Sequence, residues 1–176
     1  MGWQSALETQ RREKDQYFTD HPHSPLPPEE RESFDGLEYY PIDDQYRFEV
    51  QLEAYEDPET VLVGTSTEGE QEYQRVGQFR FTIDSEEVAI QAYRSSPSEH
   101  RLWVPFRDET SGTETYGAGR YLDLEPETHR VNDHWILDFN EAYNPTCAYS
   151  PHYECPLPPM ENWLDVRIEA GEKDFQ

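Results

Sequence analysis

The sequence predicts a mainly β fold, an antiparallel β-barrel or sandwich of about eight strands preceded by an N-terminal α-helix. Three observations carry this expectation. Apolar and polar residues alternate over short stretches from Arg47 onward, turn-forming residues separate nearly all of these stretches, and no long helical segment lies between them. A parallel sheet would need crossover helices in those gaps.

Gln4 to Thr19 reads as a helix, because no Gly or Pro interrupts it and Trp3, Leu7, Lys14 and Phe18 fall near one stripe. The stripe is thin, which places the helix on the surface of the domain. His21 to Pro28 is a proline-rich turn, and Pro27-Pro28-Glu29-Glu30-Arg31 has the residues of a short helix start, with Gly36 as its stop. The clearest strand begins at Arg47, where Phe48, Val50, Leu52 and Ala54 alternate with Arg47, Glu49, Gln51 and Glu53. That alternation is what a half-buried antiparallel strand requires. Further strands are expected at Thr60–Thr65, Tyr73–Ile83, Glu87–Arg94, Arg101–Phe106, Arg120–Leu124, His134–Asn140 and Leu164–Glu169. Residues 1–46 are thus a helical, proline-rich lead-in and residues 47–176 a β domain, together one domain at this length. No internal repeat is present.

The chain carries 38 Asp and Glu against 14 Lys and Arg, a formal charge of −24, and its only lysines are Lys14 and Lys173. Such a charge with low hydropathy also marks disordered chains, but an aromatic content of 14%, spread from Trp3 to Phe175, provides large side chains to bury. A folded domain with a surface suited to molar salt is the reading that satisfies both facts. Binding to nucleic acid relies on Lys and Arg displacing counterions, and no basic stripe exists beyond Arg11, Arg12 and Lys14. No apolar run has the length of a membrane span, and the N-terminus lacks the apolar core of a signal peptide. The expected location is therefore the cytoplasm.

One stretch differs from the rest. Asp138 to Asn162 lies between two expected strands and is long for a connection without structure of its own. Its tyrosines, asparagines and prolines favour an ordered loop. Both cysteines, Cys147 and Cys155, fall within it. Three readings of the pair stay open: packed thiols or a loop-closing disulfide, a zinc site with His152 as third ligand, or a catalytic thiolate with His134 or His152 as base. A second region, Thr110 to Arg120, has glycines and hydroxyls, yet Gly117-Ala118-Gly119 lacks the strand and helix of a phosphate loop and reads as a hairpin connection. Arg120 leads an alternating strand and can point inward, either to clamp a ligand's anionic group or to pair with Asp123, Asp138 or Glu161.

The blocks Arg11-x-x-Lys14-Asp15-x-x-Phe18, Phe34-x-Gly36-Leu37, Gly119-Arg120-Tyr121-Leu122-Asp123, Asp138-Phe139-Asn140-x-Ala142-Tyr143-Asn144-Pro145-x-Cys147-Ala148-Tyr149 and Cys155-Pro156-Leu157-Pro158-Pro159-x-Glu161-Asn162 resemble the domain of unknown function 1684 family of bacteria and halophilic archaea. The resemblance implies identity without supplying a mechanism. It includes Lys14, which favours a structural or site role for that residue, and it leaves out His21, His23 and His152, which weighs against zinc.

These readings combine into one expectation, a polar, tyrosine-rich pocket beside the mouth of the β domain that binds a small molecule. Arg120 and Tyr121 would contribute from one strand. Asp138, Asn140, Tyr143, Asn144, Cys147, Tyr149, Cys155, Glu161 and Asn162 would contribute from the loop. No metal is assigned, and cofactor and oligomeric state are not specified. The competing classes are a hydrolase-like enzyme using Cys147, Asp138 or Glu161, and a structural interaction module.

Overall fold

The computed structural model describes residues 2–150 and 153–175, which form two antiparallel sheets and an N-terminal helix. Helix α1 (Trp3–Asp20) buries Leu7 and Phe18. Helix α2 (Pro28–Arg31) ends well short of Gly36, because the Arg31 side chain turns back to donate to the carbonyls of Leu26 (3.0 Å) and Ser24 (3.3 Å). The strands are β1 (Arg47–Val50), β2 (Glu53–Gly64), β3 (Glu70–Ile83), β4 (Glu86–Arg94), β5 (Leu102–Phe106), β6 (Arg120–Leu124), β7 (Arg130–Val131) and β8 (His134–Asp138); a short helix α3 (Pro126–His129) precedes β7. One sheet has the order β1-β8-β7 and the other β2-β3-β4-β5-β6. The sheets do not close on each other, so the architecture is a sandwich and not a barrel.

The main core lies between the sheets. Phe79 and Phe81 of β3, Ile90 of β4, Val104 of β5, Leu122 of β6 and Leu137 of β8 meet there, every one nearly or fully excluded from water. Period-two alternation explains which residues enter it, since every second side chain of a strand faces one layer.

The stretch Arg47–Ala54, expected as one strand, is divided between the sheets. Arg47–Val50 pairs with β8, whereas Glu53 and Ala54 pair with Gln78 and Gly77 of β3. Gln51 and Leu52 form the corner. The alternation runs straight through it because Phe48, Val50 and Leu52 all pack on the same core. Gly77 makes the corner possible, as a Cβ there would lie 2.7 Å from the Glu53 carbonyl oxygen.

Leu164–Glu169 is a second correction. It keeps the burial alternation of a strand, with Leu164, Val166 and Ile168 inside, but joins no sheet. Its backbone groups are taken elsewhere: Leu164 N–H donates to the Arg107 carbonyl (2.7 Å), Glu109 N–H to the Val166 carbonyl (2.9 Å) and Ile168 N–H to Asp108 Oδ2 (2.6 Å).

Asp84 (φ +49°) and Ser85 (φ +67°) make the two-residue turn between β3 and β4. Both positions require left-handed backbone, which suits glycine at the second. Ser85→Gly is expected to stabilise the protein by about 0.5 kcal/mol in urea melts, because the left-handed cost of a Cβ outweighs the added freedom of the unfolded chain. A net charge of −24 also implies self-repulsion that salt screens over about 10 Å at 0.1 M and about 3 Å at 1 M. The thermal midpoint should therefore climb steadily between 0.1 and 1 M KCl. A flat response in differential scanning calorimetry would contradict this.

Candidate functional site

The loop from Asp138 to Asn162 crosses the outer face of the five-stranded sheet from one edge strand to the other. At the β6 edge, Tyr121 and Tyr143 exchange backbone hydrogen bonds of 2.8 and 3.0 Å. Beyond the end of β2, Leu157 N–H donates to the Gly64 carbonyl (2.7 Å) and Ser66 N–H to the Cys155 carbonyl (2.9 Å). Between these anchors the Asn162 side chain donates to the carbonyls of Pro105 (2.7 Å) and Gln91 (3.0 Å) and accepts from Gln91 N–H (2.7 Å). The crossing protects groups at both edges from pairing with other chains and covers a cluster of Val63, Tyr93, Trp103 and Tyr121.

Helix α1 packs on the start of this loop. Arg11, Lys14, Asp15 and Phe18 lie at helical spacings of three, four and seven, and so share one face. Arg11 donates to the carbonyls of Tyr40 (3.2 Å) and Asn140 (3.1 Å), and its guanidinium lies 4.2 Å from the centre of the Tyr39 ring. Asp15 accepts from Leu37 N–H at 3.0 Å, and Phe18 meets Tyr149 edge-on at 4.8 Å. The Lys14 ammonium pairs with Glu172, a carboxylate only 1% exposed that also accepts from the Tyr149 hydroxyl and, at 3.5 Å, from Asn144 N–H. Gly171 (φ +81°) delivers Glu172 to this point, since a Cβ there would sit 2.7 Å from the Ala142 carbonyl oxygen. Burial, with Glu172 alongside, pushes the Tyr149 hydroxyl well above the usual tyrosine range.

Two cavities open along the contact and share Lys14 and Tyr143. The smaller, of about 240 Å³, lies against Arg11, Tyr39, Asp123, Asn140 and Glu172. The larger, of about 520 Å³, lies between the second half of α1 and residues 143–149 and 153–156, with Tyr17, Phe18, Tyr121, Tyr149 and Tyr153 in its walls. Asn144 lines the larger cavity and is 2% exposed; its amide nitrogen donates to the Lys173 carbonyl (3.0 Å), while Oδ1 is buried without a donor. Arg11 Nε and the Tyr39 hydroxyl, beside the smaller cavity, are likewise unpartnered.

Of the residues expected at a pocket, the structure gathers Tyr121, Asn140, Tyr143, Asn144, Tyr149 and Cys155 at these two cavities. The others lie elsewhere. Arg120 points inward, as its place in β6 predicted, but it is fully buried and donates to the carbonyls of Ile168 (2.9 Å), Ala170 and Glu172 (3.2 Å). Its acidic partner is Asp108 at 3.4 Å, not Asp123, Asp138 or Glu161, because β6 sends Asp123 to the opposite face. Asp138 is buried and accepts from the backbone (2.9 Å) and side chain (2.8 Å) of Asn140. Glu161 lies in a separate groove with Arg75, and Asn162 ties β4 to β5.

Cys147 and Cys155 are both free thiols. The Cys147 sulfur contacts the Tyr116 hydroxyl at 3.4 Å and its backbone N–H donates to the Cys155 sulfur at 3.3 Å, while His134 is exposed at the start of β8. His152 lies outside the described residues, and with it the expectations of a zinc ligand or a base at that position. Among the described residues no group of three or more His, Cys, Asp or Glu is placed to hold a metal. No helix of the described residues is long and apolar enough to cross a membrane.

The residues that complete the site without having been expected in a pocket are Arg11, Tyr39, Asp123 and Glu172. The spacing of the Arg11-to-Phe18 block could have pointed to the first. Nothing in the sequence distinguishes Glu172 from the other acids.

The profile of a family described as "Protein of unknown function (DUF1684)" matches residues 32–173. The chain belongs to this family. A solution NMR structure of an uncharacterized protein from Haloarcula marismortui, similar to this DUF1684 chain at 44% identity, superposes with a TM-score of 0.75 over 97% of this chain and 94% of its own. No curated protein matches. The DUF1684 match contains the cavity-lining segment 140–156 and Glu172, while the α1 block that faces them precedes it.

Asp123 is the titratable group of this DUF1684 site with the most direct pH consequence. Burial raises its carboxyl above the ordinary range, against the hydrogen bond it accepts from the Tyr143 hydroxyl at 2.5 Å. A carboxyl raised by folding binds its proton more tightly in the folded chain, so its contribution to stability is lost as pH rises from the unfolded value, about 4, through the folded one. Asp123→Asn keeps an acceptor for Tyr143. It is expected to stabilise the protein at neutral pH and to leave stability unchanged below about pH 3, as read by urea melts at both.

Proposed function

We propose that the domain binds a small molecule in the larger cavity, between α1 and the segment from Tyr143 to Pro156. The observation that carries this reading is the cavity itself, about 520 Å³ and walled by tyrosines, with the part-exposed Lys14 in its lining. The rings offer faces for a flat or apolar body. Lys14, whose side chain is 29% exposed, retains ammonium donors beyond the one given to Glu172 and would receive an anionic or acceptor group. The partner is thus a small amphipathic metabolite of the cytoplasm, and not nucleic acid or a membrane surface, which a charge of −24 disfavours.

The test is a titration of ¹⁵N-labelled protein in molar KCl with a library of aromatic and carboxylate metabolites, alongside mass spectrometry of molecules that co-purify. Shifts confined to residues 143–149, Cys155 and the facing side of α1 are expected. If compounds bind only elsewhere, or none perturbs this region at millimolar concentration, the reading fails.

A hydrolase-like reading has one observation in its favour, at a different residue from those expected. Asp123, with its raised carboxyl, faces the smaller cavity together with Tyr143 and Lys14, the composition of a site for proton transfer to a bound molecule. Turnover of a bound metabolite that Asp123→Asn abolishes without weakening binding would favour this second reading.

A further inference from the structure

Ligand binding makes no use of the chemistry of the two cysteines. Cys155 is held at the end of β2, its N–H donating to Ser66 Oγ (3.1 Å) and its carbonyl accepting from Ser66 N–H (2.9 Å). Cys155 is 5% exposed, and its sulfur accepts from Cys147 N–H at 3.3 Å and lies 3.3 Å from the Thr146 hydroxyl. A backbone N–H and a hydroxyl converging on one sulfur suit a thiolate. Cys155 and Thr146 line the larger cavity, from which a small oxidant can approach, and Cys147 is partly exposed beside them.

We propose that Cys155 and Cys147 form a hydroperoxide-reducing pair in which Cys155 attacks and Cys147 resolves. The Cys155 thiolate donates an electron pair to the nearer oxygen of the hydroperoxide. An S–O bond forms, the O–O bond breaks, and the departing oxide takes a proton to leave as water or an alcohol. Sulfur is oxidised by two electrons and the peroxide reduced by two. Cys147, deprotonated as it attacks, then displaces hydroxide from the sulfenic acid, so that an S–S bond forms, the S–O bond breaks and a second product, water, leaves. The net change is two thiols and one hydroperoxide to one disulfide, one alcohol or water, and one water. Two electrons from an external low-molecular-weight thiol restore the pair. The Cys147 backbone N–H already lies 3.3 Å from the Cys155 sulfur, which places the two residues side by side for closure.

The asymmetry between the two sulfurs follows from the direction of the hydrogen bonds. The adjoining Cys147 thiol, followed by Thr146 and the Cys147 N–H, brings the Cys155 thiol down to about 6, whereas the nearby Cys155 sulfur and burial push Cys147 up.

The test uses the reduced full chain in molar KCl with one equivalent of hydrogen peroxide, followed by intact-mass spectrometry. The unaltered protein is expected to lose two hydrogens, reversibly with dithiothreitol. Cys147→Ser is expected to gain one oxygen at Cys155, trapped by dimedone, and Cys155→Ser to stay unreacted over the same time. Oxidation should slow roughly tenfold between pH 7 and pH 5 as the thiolate fraction falls. Absence of the two-hydrogen loss, or equal oxidation of the two variants, overturns the proposal. Should a variant not fold, limited iodoacetamide labelling of the unaltered protein at pH 7 decides: label on Cys155 first is expected, and label on Cys147 first overturns it.

Discussion

Replacing Arg120 with methionine is expected to lower the unfolding free energy by about 3–5 kcal/mol, the scale observed when one partner of a buried ion pair is removed. The side chain is fully buried, and its guanidinium serves four acceptors at once: the carbonyls of Ile168, Ala170 and Glu172, and Asp108. Methionine fills much of the volume but leaves those acceptors without donors inside the core. Asp108 retains the hydroxyls of Thr110 (2.9 Å) and Ser111 (3.3 Å) and the N–H of Ile168, so the carbonyls bear most of the loss. Arg120→Lys is expected to recover only a small part, because an ammonium cannot span three carbonyls as the planar fork does. Urea melts give the free energy. Hydrogen exchange adds a diagnostic, since the segment from Ile168 to Glu172 should lose protection first. A change below about 1 kcal/mol would contradict the role assigned to Arg120.

Lys14→Met is expected to cost about 2–4 kcal/mol, somewhat less than a fully buried pair because the ammonium is partly exposed. The loss comes from Glu172, which would keep its charge in a site 1% exposed, with the Tyr149 hydroxyl and Asn144 N–H as its hydrogen-bond donors and Arg11 and Arg120 as more distant cations among the described residues. Adding Glu172→Gln to Lys14→Met should restore at least half of the stability, since the amide needs no counter-charge and still accepts from Tyr149. The double-mutant cycle measures the coupling directly. Two additive losses would mean that the ion pair contributes nothing of its own. Lys14→Met also separates stability from binding, because Lys14 lines both cavities while the tyrosine walls remain.

Much of the fold is legible in the residues themselves. The boundaries of α1, β4 and β6, and the end of β3, are legible to within a residue, and the turn residues between strands mark the hairpins. The two misreadings, Arg47–Ala54 as one strand and Leu164–Glu169 as a strand, have a common cause. Alternation reports which face of an extended chain is buried, not which backbone it bonds to. Leu52 stays on the core while the chain changes sheets, and Ile168 is buried while Arg120 takes its carbonyl.

The site divides in the same way. The loop from Asp138 to Asn162 stood out by its length and composition, and six of the residues singled out for a pocket do line the cavities. Arg120 was marked for a ligand by its type and its inward position, both correctly read; the acceptors waiting for it come from the C-terminal segment, which no local pattern reveals.

By itself, then, the sequence determined the β class, the N-terminal helix, the charge of the surface and the stretch where polar and aromatic groups concentrate. These are properties of composition and of short-range period, which act within a few residues. The tertiary structure alone decided that Lys14 meets Glu172 across 158 positions, that Arg120 is spent on the core, and that the Cys155 sulfur receives the Cys147 N–H. Each of these depends on where the chain returns in space. For Glu172 that return rests on Gly171, whose missing Cβ lets the C-terminal segment pass against Ala142.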